Sequence, residues 1–330
     1  MAAAPATHDA LTVKVAQVRQ LTDSIKSFEL VDPSGGELPP FTAGAHVNVL
    51  TGIGEWRSYS LSNSETERHR YVLGVLREKE SRGGSLWMHE NVDEGDTLTI
   101  SVPRNNFPLA EDADTHLLIA GGIGITPVLS MARRLQADDA DYTLHYCTRS
   151  PESTAFLDEI RDLCGERVVF HRDGGDPAKG IDLQKVLGEH RDGRHMYVCG
   201  PGGLIQASRD IASHWPEGTV HFELFSPSRS GQDVHVDQAP NEAFQVYLQK
   251  SDLEFTVPAD KTLLEAIRDQ GVEVDSFCEE GICSTCETAV ISGDIEHRDE
   301  VLSDEEKKSN DRMMVCVSRS RDGSRLVLDL

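Results

Sequence analysis

The first hundred residues alternate between apolar and polar positions in short segments, a pattern typical of β-strands with one buried face. Turn-forming clusters such as residues 32–36 (DPSGG) separate these segments. Short, evenly spaced strands with turns between them favour a small antiparallel β-barrel. The predicted strands are 12–18, 27–31, 46–50, 56–61, 71–76 and 97–102.

The pattern changes at residue 116, where a buried strand, a turn and a helix follow one another and then recur. Alternation of this kind predicts an α/β domain with a parallel sheet and helices on both faces. The predicted strand and helix pairs are 116–120 with 126–136, 142–147 with 153–163, and 194–199 with 203–214. Further along, a hairpin at 244–249 and 254–258, followed by a helix at 262–269, predicts a small α+β domain of the β-grasp type.

A chain of 330 residues, of which 38% are apolar, can bury more than one core, because single cores stop growing below this size. We therefore predict a multidomain protein with an antiparallel β-barrel at 1–110, an α/β domain at 111–226 and an α+β domain at 243–330. The segment 227–242 is polar and lacks periodicity, so we predict a linker there.

Composition bounds the location and the partners of the protein. The longest apolar run, 116–129, is interrupted by glycines and is shorter than the roughly 20 residues that span a bilayer. The first ten residues do not resemble a secretory signal, so we expect a cytoplasmic protein outside the membrane. The formal net charge of −24 argues against nucleic acid and anionic membranes as partners. A basic partner protein fits this charge, and general solubility or a salty cytosol explains it equally well.

Four of the seven cysteines form a pattern that favours metal ligation over disulfides. Cys278, Cys283 and Cys286 give C-x4-C-x2-C, and Cys316 follows after 29 intervening residues. Plant-type 2Fe-2S clusters are held by cysteines at this spacing, with three thiolates from one loop and a fourth from a distant segment. We expect Gly281 to adopt a positive φ, so that backbone N–H groups point at the sulfurs. A structural zinc site is the alternative, although zinc sites more often use paired C-x2-C hooks.

The C-terminal domain is also acidic, with 20 acidic and 10 basic residues over 243–330. An acidic rim around the cluster would suit a docking face for a basic partner. The acidic run 304–306 is equally typical of a solvated helix start.

Two glycine-rich loops connect strands to helices in the α/β domain. Glycines at such turns let a pyrophosphate approach the backbone and a helix N-terminus, and Pro127 suits the first helical position. Tight glycine turns also serve packing alone, and neither loop is the G-x-G-x-x-G fingerprint. The loop residues assigned to the nucleotide are Gly121, Gly122, Gly124, Cys199, Gly200 and Pro201. Cys199 either faces a nicotinamide ring or is a small buried strand residue.

Two segments of the barrel domain combine groups that suit a flavin phosphate. Residues 57–62 (RSYSLS) end a strand and supply an arginine, an aromatic ring and hydroxyls, while residues 82–85 (RGGS) open a short helix with N–H donors. The residues assigned to the flavin are Arg57, Ser58, Tyr59, Ser60, Gly74, Arg82, Gly83, Gly84 and Ser85.

In this order the motifs resemble the phthalate dioxygenase reductase family, single-chain reductases that supply Rieske oxygenases and include the vanillate demethylase reductases. The resemblance runs from about residue 11 to the C-terminus through RSYSLSN, RGGS, PRNNFPL, AGGIGITPVLSMARRL, TRSPESTAF, YVCGPGGL, HWPEGTVHFE, CEEGICSTC and MVCVSRS. It implies an NADH-dependent oxidoreductase that passes electrons from NADH through FMN and a 2Fe-2S cluster to a terminal Rieske oxygenase. Ser284 departs from the glycine that several relatives have in the cluster loop.

The resemblance also implies roles for single residues. Thr126 would lie near the flavin ring, and Phe225 would cover its face until nicotinamide displaces it; with Cys199, these are the residues expected where hydride is transferred. Asp173 falls where family members bind the adenosine ribose, and a carboxylate there would repel the 2′-phosphate of NADPH. Arg149 leaves the preference for NADH open, because an arginine accepts a phosphate.

Two alternative functions remain open at this point. The same relay could serve a diiron or haem monooxygenase, because an acceptor protein is recognised by surface shape and charge. A 2Fe-2S redox sensor with vestigial flavin domains would keep the cysteine pattern, although the phosphate-binding segments argue against it.

Overall fold

The computed structural model of the protein describes residues 10–78, 83–225, 241–276 and 278–330. The chain divides into two units, Met1–Leu224 and Phe225–Leu330. The predicted barrel and α/β domains fall together in the first unit, and the boundary at residue 110 stays a prediction. Most of the predicted linker lies outside the described residues. Within the described ranges, no helix is long and apolar enough to cross a membrane.

An antiparallel sheet of six strands forms the first half of the first unit. Alternate side chains such as Val13 and Val15 fill its core, as the period of two requires. The edge strands approach each other at an isolated bridge between Leu61 and Leu73. The elements are β1 (Ala10–Thr22), β2 (Ile25–Val31), β3 (His46–Leu50), β4 (Trp56–Ser60), β5 (Tyr71–Leu76), α1 (Gly84–Asn91) and β6 (Thr97–Ser101), with the strands in the order β4-β3-β6-β1-β2-β5. The predicted antiparallel architecture is confirmed. Among the described residues, the two edge strands β4 and β5 are linked by the isolated Leu61–Leu73 bridge rather than by a continuous ladder.

A parallel five-stranded sheet forms the second half of this unit. Its strands are β7 (Thr115–Gly121), β8 (Asp141–Thr148), β9 (Val168–Arg172), β10 (Arg194–Cys199) and β11 (Val220–Glu223), in the order β11-β10-β7-β8-β9. The helices are α2 (Ile125–Ala137), α3 (Leu157–Cys164), α4 (Leu183–Leu187) and α5 (Gly202–Ile211). Because β7 and β10 are neighbours and parallel, their two glycine-rich loops lie side by side at the carboxyl edge of the sheet.

Some predicted elements of this sheet differ from those observed. The first helix begins at Ile125, so Pro127 is its third residue rather than its first; its missing N–H still falls among those without a helical partner. The helix predicted over 153–163 begins only at Leu157. A short 3₁₀ turn precedes it, and Phe156, with a φ of +56°, breaks the helical conformation between the two. The short strands β9 and β11 at the sheet edges were not predicted.

The second unit contains a five-stranded sheet and a two-stranded one. The hairpin of β12 (Phe244–Leu248) and β13 (Leu253–Val257) and the helix α6 (Leu263–Asp269) match the prediction. The remaining elements are β14 (Glu287–Ser292), β15 (Ile295–Glu296), α7 (Asp304–Ser309), β16 (Arg312–Met314), β17 (Arg319–Ser320) and β18 (Leu326–Leu328). Ser303 and Glu306 form a capping box at the start of α7, so the acidic run there begins a helix. The five-stranded sheet has the order β13-β12-β18-β14-β16, with β12 parallel to β18.

Candidate electron-transfer sites

The start of α1 and the side chain of Arg57 lie against each other. A Cβ on Gly84 would lie 2.6 Å from Arg57 Cγ and 3.0 Å from its Nε, so only glycine allows this approach. Gly83, with a φ of +103°, precedes the helix, and no side-chain cap is present among the described residues. A guanidinium beside the N–H groups of a helix start suits a phosphate. These residues therefore fit the phosphate of FMN.

The predicted flavin strand, β4, divides its side chains between two faces. Arg57 and Tyr59 pair with Val49 and Val47 of β3 and share one face, so Ser58 and Ser60 lie on the other. Burial raises the pKa of Tyr59 to about 12, so its phenol stays neutral at ordinary pH. The sequence placed all four residues around one flavin, whereas the strand presents them as two pairs.

Strand β5 contacts the start of α2 at Gly74 and Thr126. A Cβ on Gly74 would lie 2.6 Å from Thr126 Cγ2 and 3.3 Å from Phe156 Cε2. Thr126 is 1% exposed, and its hydroxyl donates to the carbonyl oxygen of Ile123 at 3.0 Å. The absence of a side chain at residue 74 thus lets the antiparallel sheet approach the first glycine-rich loop.

The two glycine-rich loops pack directly against each other. A Cβ on Gly124 would lie 2.2 Å from the carbonyl oxygen of Cys199, and one on Gly121 would lie 2.6 Å from Pro201 Cδ. A Cβ on Gly200 would lie 2.8 Å from the Cα of Gly121. Packing therefore accounts for three of the four predicted glycines. Gly122 differs, because it has a φ of +53° and no atom within 4 Å of a Cβ.

A carboxyl group that the sequence reasoning missed lies beside these loops. Glu223 is the register partner of Cys199 in the neighbouring strand, and its Oε2 lies 3.5 Å from the hydroxyl of Ser60, which donates to it. Burial raises the pKa of Glu223 to about 8. An acidic residue at the carboxyl end of a strand, two positions before Phe225, was the available signal.

Cys199 is a buried thiol rather than an exposed one. It is 0% exposed, and burial, together with the nearby Glu223, raises its pKa well above the ordinary value. The thiol therefore stays protonated at neutral pH. This is the buried strand cysteine that the sequence left as an alternative, and a role towards nicotinamide stays a prediction.

Asp173 follows β9 at the carboxyl edge of the parallel sheet. Its Oδ1 accepts the N–H of Gly175 at 2.7 Å, and its own N–H donates to the carbonyl oxygen of Thr148 at 3.2 Å. The N–H of Gly174 donates to the carbonyl oxygen of Arg149 at 3.0 Å, so residues 149 and 173 share one turn region. One carboxylate oxygen is thus committed to the turn, and the position suits a ribose at the sheet edge.

The four C-terminal cysteines lie in two pairs. A hydrogen bond between Cys278 and Cys283 lowers the pKa of Cys283 to about 6 and raises that of Cys278. The same relation between Cys286 and Cys316 lowers the pKa of Cys286 and raises that of Cys316. Cys286 and Cys316 are each 2% exposed. Two pairs of thiols suit two irons that each take two thiolates.

Backbone N–H groups converge on the cysteine sulfurs. Glu280 N donates to the sulfur of Cys278 at 3.3 Å, and Cys278 N donates to the sulfur of Cys283 at 3.4 Å. Hydrogen bonds of this kind stabilise thiolates and the negative charge of an iron-sulfur cluster. The residues therefore fit a 2Fe-2S group.

The cluster loop bends through three residues with positive φ, namely Glu279 at 54°, Gly281 at 74° and Ser284 at 57°. The prediction for Gly281 is confirmed. Ser284 holds a conformation that glycine adopts without steric cost, which gives a physical reason for the glycine expected there. Among the described residues, no three metal-ligating side chains are grouped to hold a single ion.

Two predicted site residues cannot be placed with the others. Arg82 lies outside the described residues. Phe225 belongs to the second unit, and its side chain is 42% exposed. The role of Phe225 over a flavin stays a prediction.

Family models match both halves of the proposed relay. The oxidoreductase NAD-binding domain matches residues 118–210, and the 2Fe-2S iron-sulfur cluster binding domain matches residues 246–321. The chain is 45% identical to phthalate dioxygenase reductase from Burkholderia cepacia, over 97% of each protein. It is 41% identical to vanillate O-demethylase oxidoreductase from Acinetobacter baylyi, over 97% of this chain and 99% of that protein.

Solved structures agree with these matches. A structure of phthalate dioxygenase reductase, described as modular for electron transfer from pyridine nucleotides to [2Fe-2S], aligns with a TM-score of 0.70 at 45% identity, over 97% of this chain and 98% of that one. Full-length CYP116B46 from Tepidiphilus thermophilus aligns with a TM-score of 0.85 at 40% identity, over 97% of this chain and 42% of that one.

Proposed function

The chain belongs to the phthalate dioxygenase reductase family, and we propose that it delivers electrons from NADH, through FMN and a 2Fe-2S cluster, to a Rieske-type terminal oxygenase. Several relatives are named as reductases or reductase subunits of oxygenases. The observation that carries the proposal is the paired-thiol loop, with its N–H donors, in one chain with an NAD-binding domain. A redox sensor would not require that domain.

FMN bound in the first unit would supply the chemistry that takes a hydride as an electron pair and gives electrons up singly, which suits an acceptor such as a 2Fe-2S cluster that takes one electron at a time. Arg57 and the N–H groups at the start of α1 would hold the flavin phosphate. Gly74 and Thr126 set how closely the antiparallel sheet approaches the nucleotide loop. Tyr59, Gly83 and Ser85 complete the proposed flavin site, whereas Ser58 lies on the opposite face of β4 from Arg57.

The nucleotide would lie along the carboxyl edge of the parallel sheet. Asp173 would accept from the adenosine ribose with its second carboxylate oxygen, and its charge would repel a 2′-phosphate. Glu223, with a pKa of about 8, holds a proton at neutral pH beside Ser60. Cys199, also protonated and fully buried beside Glu223, adds no negative charge at this edge. Because neither group is charged, they would favour the neutral nicotinamide ring of NADH over the positively charged ring of NAD⁺.

In the second unit, Cys278, Cys283, Cys286 and Cys316 would hold the cluster. The acceptor would dock on the acidic second unit, and a basic surface on the oxygenase would suit it. A cytoplasmic location is part of this proposal, because NADH is made there.

The cofactor content can be tested on the purified protein. Acid should release FMN, and the same sample should contain two irons and two sulfides per chain. NADH should bleach the flavin absorbance first and the cluster absorbance second in a stopped-flow experiment. A preparation that stays colourless after anaerobic reconstitution would contradict the proposal.

A haem monooxygenase is the second candidate acceptor, because a cytochrome P450 chain contains a region that aligns with 97% of this one. The two candidates differ in the protein that accepts electrons from the reduced cluster. We would mix the NADH-reduced protein with a purified Rieske oxygenase and, separately, with a purified bacterial P450. Reduction of the Rieske centre at least tenfold faster than of the haem supports the first candidate, and the reverse ratio supports the second.

A further inference from the structure

A buried carboxylate lies behind the cluster loop. The side chain of Asp299 is 0% exposed, and its Oδ2 accepts the N–H of Leu302 at 2.9 Å. An aspartate that accepts the N–H three residues ahead fixes the turn between them, as a helix cap does. Asp299 therefore sets the backbone conformation of residues 299–302.

This turn is in direct contact with Gly281 in the cluster loop. The N–H of Glu300 donates to the carbonyl oxygen of Gly281 at 3.0 Å. A Cβ on Gly281 would lie 3.1 Å from the Cα of Asp299, so the two backbones touch. The neighbouring residue in the loop, Glu280, donates its N–H to the sulfur of Cys278 at 3.3 Å. An unbroken series of contacts thus links the Asp299 cap to a cluster ligand.

Three neighbours surround the carboxylate. The hydroxyl of Ser318 and the Nδ1 of His297 each lie 3.5 Å from Asp299 Oδ1. Lys307 of α7 donates to the carbonyl oxygen of Asp299 at 2.8 Å, and its Nζ lies 3.9 Å from Oδ2. A side chain with this many partners and no exposure has little freedom to move.

We propose that Asp299 is a positioning residue for the cluster: its cap on residues 299–302 holds Gly281 and so keeps the adjoining Glu280 N–H pointed at the sulfur of Cys278. This inference rests on the proposed function, because it presumes a 2Fe-2S cluster on the four cysteines. An N–H donor to a ligating sulfur stabilises the more negative, reduced cluster and so raises its reduction potential. Loosening the cap should therefore lower the potential and weaken retention of iron.

The test compares two neutral variants of the full-length protein, Asp299→Asn and Asp299→Ala. Both remove the charge, and only asparagine keeps an oxygen that accepts the Leu302 N–H. We expect Asp299→Ala to titrate at a lower midpoint potential than Asp299→Asn in an EPR-monitored redox titration. We also expect it to lose iron to a chelator several times faster. The control pair is Asp294→Asn and Asp294→Ala, which alters an exposed residue paired with Arg321, and these two should agree with each other.

Each outcome decides the inference separately from the proposed function. If Asp299→Ala loses its cluster during purification while Asp299→Asn keeps it, iron content replaces the potential as the measured difference and supports the proposal. Equal potentials and equal iron loss in the two variants contradict it, as does complete loss of the cluster in both. A wild-type protein without a two-iron EPR signal contradicts the proposed function instead.

Discussion

Thr126 occupies the space that a side chain at position 74 would need. The methyl carbon of Thr126 lies 2.6 Å from the position of a Cβ on Gly74, a distance that real Cβ contacts do not show. Gly74 lies in β5 of the antiparallel sheet, and Thr126 lies at the start of α2, next to the parallel sheet. Their contact therefore fixes the distance between the predicted flavin and nucleotide segments.

We predict that Gly74→Ala slows NADH-driven flavin reduction by roughly tenfold or more, because small displacements of reacting groups have large effects on rate. The double variant Gly74→Ala/Thr126→Ser should recover most of the rate, since serine lacks the methyl group and keeps the hydroxyl. Stopped-flow absorbance of the flavin measures both. Failure of the second substitution to restore any rate would show that the Gly74 effect does not pass through Thr126.

Cys283→Ser should leave NADH-driven flavin reduction largely unchanged and abolish reduction of cytochrome c, because it removes a cluster ligand and no residue of the first unit. The matched control is Cys164→Ser, a buried cysteine of α3 that is 4% exposed and far in sequence from the cluster loop. That control should keep both activities. Equal loss of both activities in Cys283→Ser would contradict the order of the relay.

Asp173→Ala should reduce kcat/KM for NADH by about tenfold, the equivalent of roughly 1.4 kcal/mol, and should affect NADPH less. Asp173→Asn keeps an oxygen that accepts the Gly175 N–H. It should also narrow the preference for NADH over NADPH, because it removes the negative charge of the carboxylate. Asp176→Ala changes a nearby carboxylate that bonds Ala178 N and should leave the ratio as in the wild type. An unchanged NADH/NADPH ratio in both Asp173 variants would remove this assignment.

Glu223 should make the stability of the protein depend on pH. Its folded pKa is raised from 4.5 to about 8, so between these values the folded state holds a proton that the unfolded state has lost. Stability therefore falls as pH rises through this window and levels off above about 8. Glu223→Gln cannot ionise, so its melting temperature should gain on the wild type from pH 5 to pH 8. Parallel melting curves for the two proteins across this range would show that Glu223 is not buried in neutral form.

Local patterns predicted several strands well. Strands β3, β5 and β10 match their predicted bounds, because each is a short run of mostly buried residues, and a short apolar run between turn signals indicates a strand. The cysteine spacing predicted a 2Fe-2S domain, and a family model of that kind matches residues 246–321, since one loop must reach around a compact group with cysteines at fixed intervals.

Residues whose roles depend on distant neighbours could not be found this way. The pKa of Glu223 is raised by burial. The fold that buries this residue also places it beside Ser60, 163 residues away in sequence. Asp299 caps a turn that matters only because Gly281 packs behind it. Neither contact is predicted by the periodicity of the chain or by the spacing of its residues.

The interlocked loops have a consequence for anyone who wishes to re-engineer coenzyme use. Gly121, Gly124 and Gly200 leave no room for even a methyl group, so that edge of the nucleotide site tolerates almost no redesign. Gly174 and Gly175, beside Asp173, have no atom within 4 Å of an added Cβ, although their positive φ values favour glycine or asparagine. Variation in coenzyme choice should therefore accumulate in the turn after β9, while the paired loops stay fixed.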